Sequence, residues 1–217
     1  MKFIVFIVTL LLPLFGLEII QKPIDFSAKR IALTKKYLDK HYNLKVNTIE
    51  MEPKIIVLHY TALNNFNKSF NRFFAPTLPS DRPEIAKAGE LNVATHFLVN
   101  RDGSIYQLMP DNFVARHVIG LNYSAIGIEN VGGEAGVLNL TSAQKKANVA
   151  LVEYLISKYE SLTYLIGHSE YRCFEEHPLW LETDTSYRTK KSDPGKRFLS
   201  YVRKRIPELM PAPCESK

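Results

Sequence analysis

Lys54-Ile55-Ile56-Val57-Leu58-His59 is the stretch that decides how this chain folds. Four apolar residues in succession, three of them β-branched, are too few for a helix and leave neither face polar. That is the pattern of a strand buried inside a sheet, with the polar residue at its end delivered to the rim. Two more runs repeat the arrangement: Ala125-Ile-Gly-Ile-Glu129 carries a carboxylate, and Tyr164-Leu-Ile-Gly-His168 ends on a second histidine.

Outward from these runs the chain alternates between strand and helix periods. Ser27 to Tyr42 spaces Ile31, Leu38 and Tyr42 at helical intervals with Lys29, Arg30, Lys35, Lys36 and Lys40 between them, which predicts an amphipathic helix. Asn64 to Phe74 reads as helix and Pro76 to Pro83 as a surface loop. Asn92 to Val99 and Ser104 to Met109 flank the turn Asn100-Arg-Asp-Gly103, a hairpin signal. Thr141-Ser-Ala-Gln144 is a capping box opening a helix to about Tyr159, and Leu162 to Gly167 is the next strand. Asp193-Pro194 is expected to open the last helix, with Phe198, Leu199, Val202 and Ile206 on one face. No repeat is visible, and Ser169 to Ser192 has no period. The fold class is α/β, a single domain with a mixed central β-sheet covered by helices.

The 217 residues suffice for one well-buried domain. Met1-Lys2 followed by the apolar run Phe3 to Leu17 has the form of a secretory leader cut near Gly16, with an uncleaved anchor as the alternative. The run is shorter than the roughly 20 apolar residues of a membrane span, so no stable span is expected. The chain divides into a leader (1–16), a helical extension (17–53), a catalytic unit (54–206) and a tail (207–217) that reads as disordered. An exported location, periplasmic or extracellular, allows Cys173 and Cys214 to pair; two free thiols are the other reading. A net charge of +6 suits an anionic polymer such as a cell-wall glycan. Without an arginine-rich block, zinc-finger spacing or an aromatic-basic ribonucleoprotein pattern, a nucleic-acid partner is not expected.

Two imidazoles and a carboxylate brought to one rim match the ligand preference of catalytic zinc, which takes three protein ligands and keeps a place for water. A further carboxylate and a lysine nearby would serve as general base and oxyanion stabiliser.

Taken together, Ile-Val-Leu-His59-Tyr-Thr-Ala, Ala-Thr-His96-Phe-Leu-Val-Asn-Arg-Asp-Gly-Ser-Ile-Tyr-Gln-Leu, Ala-Arg-His117, Ile-Gly-Ile-Glu129, Ile-Gly-His168-Ser and Lys191-Ser-Asp193-Pro-Gly resemble the zinc-dependent N-acetylmuramoyl-L-alanine amidases, which share a fold with the peptidoglycan recognition proteins. The resemblance covers about Lys54 to Ile206. It implies Zn2+ held by His59, His168 and Asp193, with Glu129 as base and Lys191 as oxyanion stabiliser. It also implies substrate contacts from His96, Arg116 and His117, and hydrolysis of the amide between N-acetylmuramic acid and L-alanine in peptidoglycan or muropeptides. The sequence departs from the family where Thr95 replaces a tyrosine of some relatives, which favours the Glu129 route. It departs again in a longer stretch between His168 and Asp193 that contains Cys173, His177 and Asp184.

Each residue has a plainer alternative: His59 and His168 as hydrogen-bonded core histidines, Asp193 as a helix cap, Lys191 as half of a solvated pair with Lys190, and His96 and His117 as structural groups. Glu129 in an apolar strand is costly without a metal or cation nearby. The rival functions are a non-catalytic peptidoglycan-binding module of the same fold and a zinc peptidase; the absence of a helical His-Glu-x-x-His disfavours the latter.

Overall fold

The computed structural model describes residues 16–80 and 83–216, so the expected leader lies almost wholly outside the described residues. Six strands form one sheet in the order β1-β4-β3-β5-β2-β6: β1 Ile19–Gln21, β2 Ile55–Tyr60, β3 Phe97–Val99, β4 Ile105–Gln107, β5 Ala125–Asn130 and β6 Tyr164–Gly167. The central strands β3, β5, β2 and β6 run parallel, and β4 pairs antiparallel with β3 through the predicted hairpin. Its turn closes by Asn100 N–H donating to the Ser104 carbonyl (2.9 Å) and Gly103 N–H to the Asn100 carbonyl (2.9 Å).

The sheet is mixed, as the alternation of periods predicts. Ile55 through Leu58 are wholly inaccessible, which a parallel strand covered on both faces requires. Ile56 and Leu58 share one core with Ile126, Ile128, Phe97 and Leu165, covered by α4 (Ser142–Lys158) and α5 (Lys196–Arg203). Ile55, Val57, Ala125 and Ile166 face the opposite side, packed by Val118 and Leu121 from a loop and by Tyr171 and Phe174 from the 3-10 helix His168–Phe174. Each such buried Val, Leu, Ile or Phe side chain contributes about 1.5–3 kcal/mol.

Two helices flank this frame. In α1 (Ala28–Tyr42) the buried stripe is Arg30, Thr34, Tyr37, Leu38, His41 and Tyr42, so Arg30 goes inside and Ile31 stays half exposed. The Arg30 guanidinium donates to the carbonyls of Phe73 (2.8 Å), Phe74 (3.0 Å) and Ala75 (2.8 Å). These carbonyls end α2 (Phe66–Phe74), so a buried cation caps that helix's negative pole. The short α3 (Pro83–Ala86) follows the proline-rich loop.

Several expectations change. The extension before residue 54 also contributes β1, pairing Ile19 with Ile105 at the sheet edge. β3 is shorter than Asn92 to Val99, because the Asn92 amide turns to the carbonyls of Arg72 and Ala75 (both 2.9 Å). The capping box of α4 is present as predicted. Asp193-Pro194 does not open α5; Gly195 precedes its first turn, and the Asp193 carboxylate is used elsewhere. The described part of the tail packs on the domain instead of standing free. Met210 pairs with the β6 edge through Leu165 N–H to its carbonyl (3.0 Å), Ala212 is buried, and Cys214 is joined to Cys173 (Cα–Cα 5.3 Å).

Candidate metal centre and catalytic cavity

β2 and β5 are in register with His59 opposite Glu129 and Val57 opposite Gly127, so both polar side chains leave the same face of the sheet. β6 pairs with β2 only as far as Gly167 opposite Leu58, and His168 follows directly. Three strand ends thus bring two imidazoles and a carboxylate to one rim. Asp193 arrives from the irregular stretch, where its carbonyl accepts Ser169 N–H (3.0 Å) and a cis bond precedes Pro194. Pro194 can close in because residue 167 is glycine: a Cβ there would lie 2.9 Å from the proline Cδ.

His59 Nδ1 lies 3.0 Å from His168 Nδ1, and Asp193 Oδ2 lies 3.2 Å from the first and 3.0 Å from the second. All three side chains are buried, and their ligand atoms fall within 4.8 Å of one another. Burial, then the neighbouring His168, pulls the His59 imidazole down to about 4, although Asp193 opposes this. For Asp193 burial alone would raise the carboxyl, but His168 and His59 together outweigh it and hold the group ionised, far below the usual range. The result is an ionised carboxylate beside two imidazole nitrogens, one of them on a ring kept neutral. Two nitrogens and an oxygen from a buried rim fit a borderline divalent ion such as zinc.

A cavity of about 330 Å³ opens on this cluster, and Glu129, Lys191, His117, Tyr60, Thr61 and Arg72 are among its walls. Lys191 is close enough for its charge to help depress His59. A cavity of about 440 Å³ between α1 and residues 77–91 is lined by Leu33, Lys36, Lys40 and Leu91, but no histidine or cysteine reaches it. The chemistry therefore lies in the smaller one.

The other predicted residues divide. His96 is fully buried, its Nε2 donating to the Phe113 carbonyl (2.7 Å) and its Nδ1 accepting Gly127 N–H (2.9 Å), so it is not brought to the cavity. Arg116 borders the cavity, yet its guanidinium is committed to the carbonyls of Leu91 and Ile85 (2.7 Å) and to the Tyr187 hydroxyl (3.1 Å). His117 reaches the cluster itself, with Nδ1 at 3.0 Å from His59 Nε2. Three titratable or ligating residues between His168 and Asp193 lie elsewhere: Cys173 is in the disulfide, His177 meets the Tyr164 hydroxyl (3.2 Å), and Asp184 caps Ser186 N–H (2.8 Å).

Sequence reasoning missed what holds the stretch before Lys191. The Tyr171 hydroxyl donates to the Thr189 carbonyl (2.7 Å) and accepts Thr189 N–H (2.9 Å), pinning the chain just before Lys191. It also missed the hydrogen bond between the Tyr60 and Ser192 hydroxyls (2.9 Å). No spacing rule marks either pair.

A family model described as N-acetylmuramoyl-L-alanine amidase matches residues 50–196. The endolysin of Escherichia phage T7 is 33% identical over 84 residues, 37% of this chain and 56% of the endolysin, so the chain spans just over half that relative's length. The 1,6-anhydro-N-acetylmuramyl-L-alanine amidase AmpD of Salmonella typhimurium is 29% identical over 141 residues, 59% of this chain and 73% of that protein. Among solved structures, the N-acetylmuramoyl-L-alanine amidase LysC from Clostridium intestinale superposes with a TM-score of 0.53 over 88% of this chain and 97% of its own at 24% identity, which establishes a shared fold.

Proposed function

The chain belongs to the N-acetylmuramoyl-L-alanine amidase family, and from that premise we propose that it is a zinc-dependent hydrolase of the amide between the lactyl group of N-acetylmuramic acid and L-alanine. The observation that carries the reading is the meeting of His59, His168 and Asp193, with His168 and Asp193 opening on a cavity that Glu129 and Lys191 also line. When bound, zinc supplies Lewis-acid polarisation of the scissile carbonyl and an acidified water.

The chain's own groups have distinct tasks. His59, His168 and the ionised Asp193 hold the ion. Glu129 takes the proton of the attacking water and returns it to the leaving amine. The Lys191 ammonium faces the oxyanion as it forms, in a cleft where low dielectric strengthens the attraction. The partner is peptidoglycan or its muropeptides, whose carboxylates suit a chain of net charge +6.

We take residues 54–206 as the catalytic unit and place its work outside the cytoplasm, on the strength of the apolar run Phe3 to Leu17. No helix among the described residues is long and apolar enough to cross a membrane. A non-catalytic binding module would have lost a ligand or the base, and every candidate is present here. Digestion of purified sacculi with and without a chelator tests the reading. New L-alanine amino termini that vanish on chelation are expected; no new amine, or one from another residue, refutes it.

A further inference from the structure

The His117 ring joins the sheet to a metal ligand. Its Nε2 lies 3.1 Å from the Ala125 carbonyl, and a carbonyl oxygen only accepts, so Nε2 carries the proton. In a neutral ring Nδ1 is then a bare lone pair, and it faces His59 Nε2 at 3.0 Å. The proton of that contact must sit on His59 Nε2. A neutral His59 has only one, so its Nδ1 lone pair is left free, aimed between His168 Nδ1 at 3.0 Å and Asp193 Oδ2 at 3.2 Å. The opposite arrangement, with a proton on His59 Nδ1, would block coordination there.

We propose that His117 is a positioning residue, one that reads the Ala125 carbonyl and fixes His59 in the tautomer whose Nδ1 can bind the metal. This assignment rests on the metal-site reading given above and differs from the substrate contact expected of His117. The surroundings fix the ring as the task requires. His117 N–H and Val118 N–H both donate to Asn122 Oδ1 (2.9 and 2.8 Å), and Asn122 Nδ2 donates to the Tyr37 hydroxyl (3.2 Å). The ring meets His59 edge-on at 83° with centroids 5.1 Å apart. Its seat exists because residue 127 is glycine: a Cβ there would lie 2.9 Å from His117 Cγ and Nδ1. The relay's anchor, Ala125, and its seat, Gly127, lie on β5, which is paired along its length with β2, the strand that carries His59. One rigid pair of strands therefore sets both ends of the relay. A His59 Nε2–H left unpaired in this buried position would also be costly.

Two measurements test the relay. Long-range 1H–15N spectra of the metal-free protein at neutral pH should show both His59 and His117 protonated on Nε2. Zinc affinity, read by competition with a chelator, should fall about 10- to 100-fold in His117→Ala, the usual cost of removing a group that orients a ligand. His117→Gln, whose amide oxygen can accept from His59 Nε2–H, should recover most of it, which a space-filling role would not predict. Should His117→Ala fail to fold, Gly127→Ala crowds the same ring and should weaken zinc while His59 loses its single tautomer. Wild-type zinc affinity in both variants, or a His59 protonated on Nδ1 in the native chain, overturns the assignment. A native protein that binds no zinc but shows the Nε2–H tautomer refutes the metal reading and leaves the relay standing, so the two failures are distinguishable.

Discussion

His59, Glu129 and His168 stand at the ends of neighbouring parallel strands, whereas Lys191 and Asp193 hang on irregular chain that follows the 3-10 helix His168–Phe174. The first group inherits its geometry from backbone pairing: once β2 and β5 are in register, His59 and Glu129 must share a face. The second group is held by scattered side-chain anchors. Glu182 meets His41 (2.9 Å), Thr183 N–H donates to the His41 carbonyl (2.9 Å), Leu181 N–H donates to the Gly120 carbonyl (2.9 Å), and the Tyr171 hydroxyl clasps Thr189. A site built half on strands and half on loop separates two jobs. The strand half supplies a fixed pair of imidazoles, and the loop half has to return a carboxylate to the same point.

The comparison is broken most severely by removing a strand-end ligand. His168→Ala should lose both zinc and amide hydrolysis, because two remaining ligands seldom hold the ion tightly. Zinc content by metal analysis decides it; a zinc-replete variant would mean that the strand end is not the anchor. Next in size is Glu129→Ala, which should keep fold and metal but lose about a hundredfold or more in amide hydrolysis. An active Glu129→Ala protein would remove the general base from the scheme.

The difference between the two halves also explains what could be read beforehand. Apolar runs ending on His59 and His168 declare buried strands, and the 3.6-residue period and capping box declare α4, because these signals are local. Arg30 taking the inward place expected of Ile31 is mostly not local: besides the nearby Asp25 carbonyl, its partners are three carbonyls more than forty residues away. β1 was illegible because three residues give too little period to detect, and the tail because its order comes from the β6 edge and Cys173. Within the site, Asp193 was legible by resemblance. That it stands outside α5, whose cap is Gly195, was not, since aspartate followed by proline is also a common helix start.

Loop anchoring predicts a stability effect with little chemical effect. Cys173→Ser opens a link between residues 41 apart and should cost about 2–4 kcal/mol in denaturant unfolding while zinc affinity stays near the native value. A large loss of zinc with unchanged stability would place the disulfide in the site's support instead.

A buried histidine outside the site carries its own pH signature. Burial lowers His96 to about 4, against about 6.5 for an unfolded histidine. On acidification the unfolded chain therefore binds the proton first, so the stability that neutral His96 contributes is fully present above pH 6.5 and is lost as pH falls toward 4. Between pH 6.5 and 5 this amounts to about 1.5 kcal/mol for His96 alone. Urea midpoints measured across that window should fall, and by less in His96→Gln; equal slopes would contradict the assignment.

The smallest expected effect sharpens the comparison furthest. Tyr171→Phe removes one hydroxyl from a buried ring, and with it the bond to the Thr189 carbonyl and the acceptor for Thr189 N–H. The expected cost is about 1–2 kcal/mol of stability. Its consequence should be lopsided. Thr189 lies two residues before Lys191 and four before Asp193, so release of that segment should lower hydrolysis through Lys191 and weaken zinc a few-fold through Asp193. The Nε2–H tautomer of His59, fixed by β5, should be untouched. Chelator competition and the long-range 1H–15N spectrum of the variant measure the two sides separately. If the tautomer scrambles together with the metal affinity, the strand half depends on the loop half, and the division between them fails.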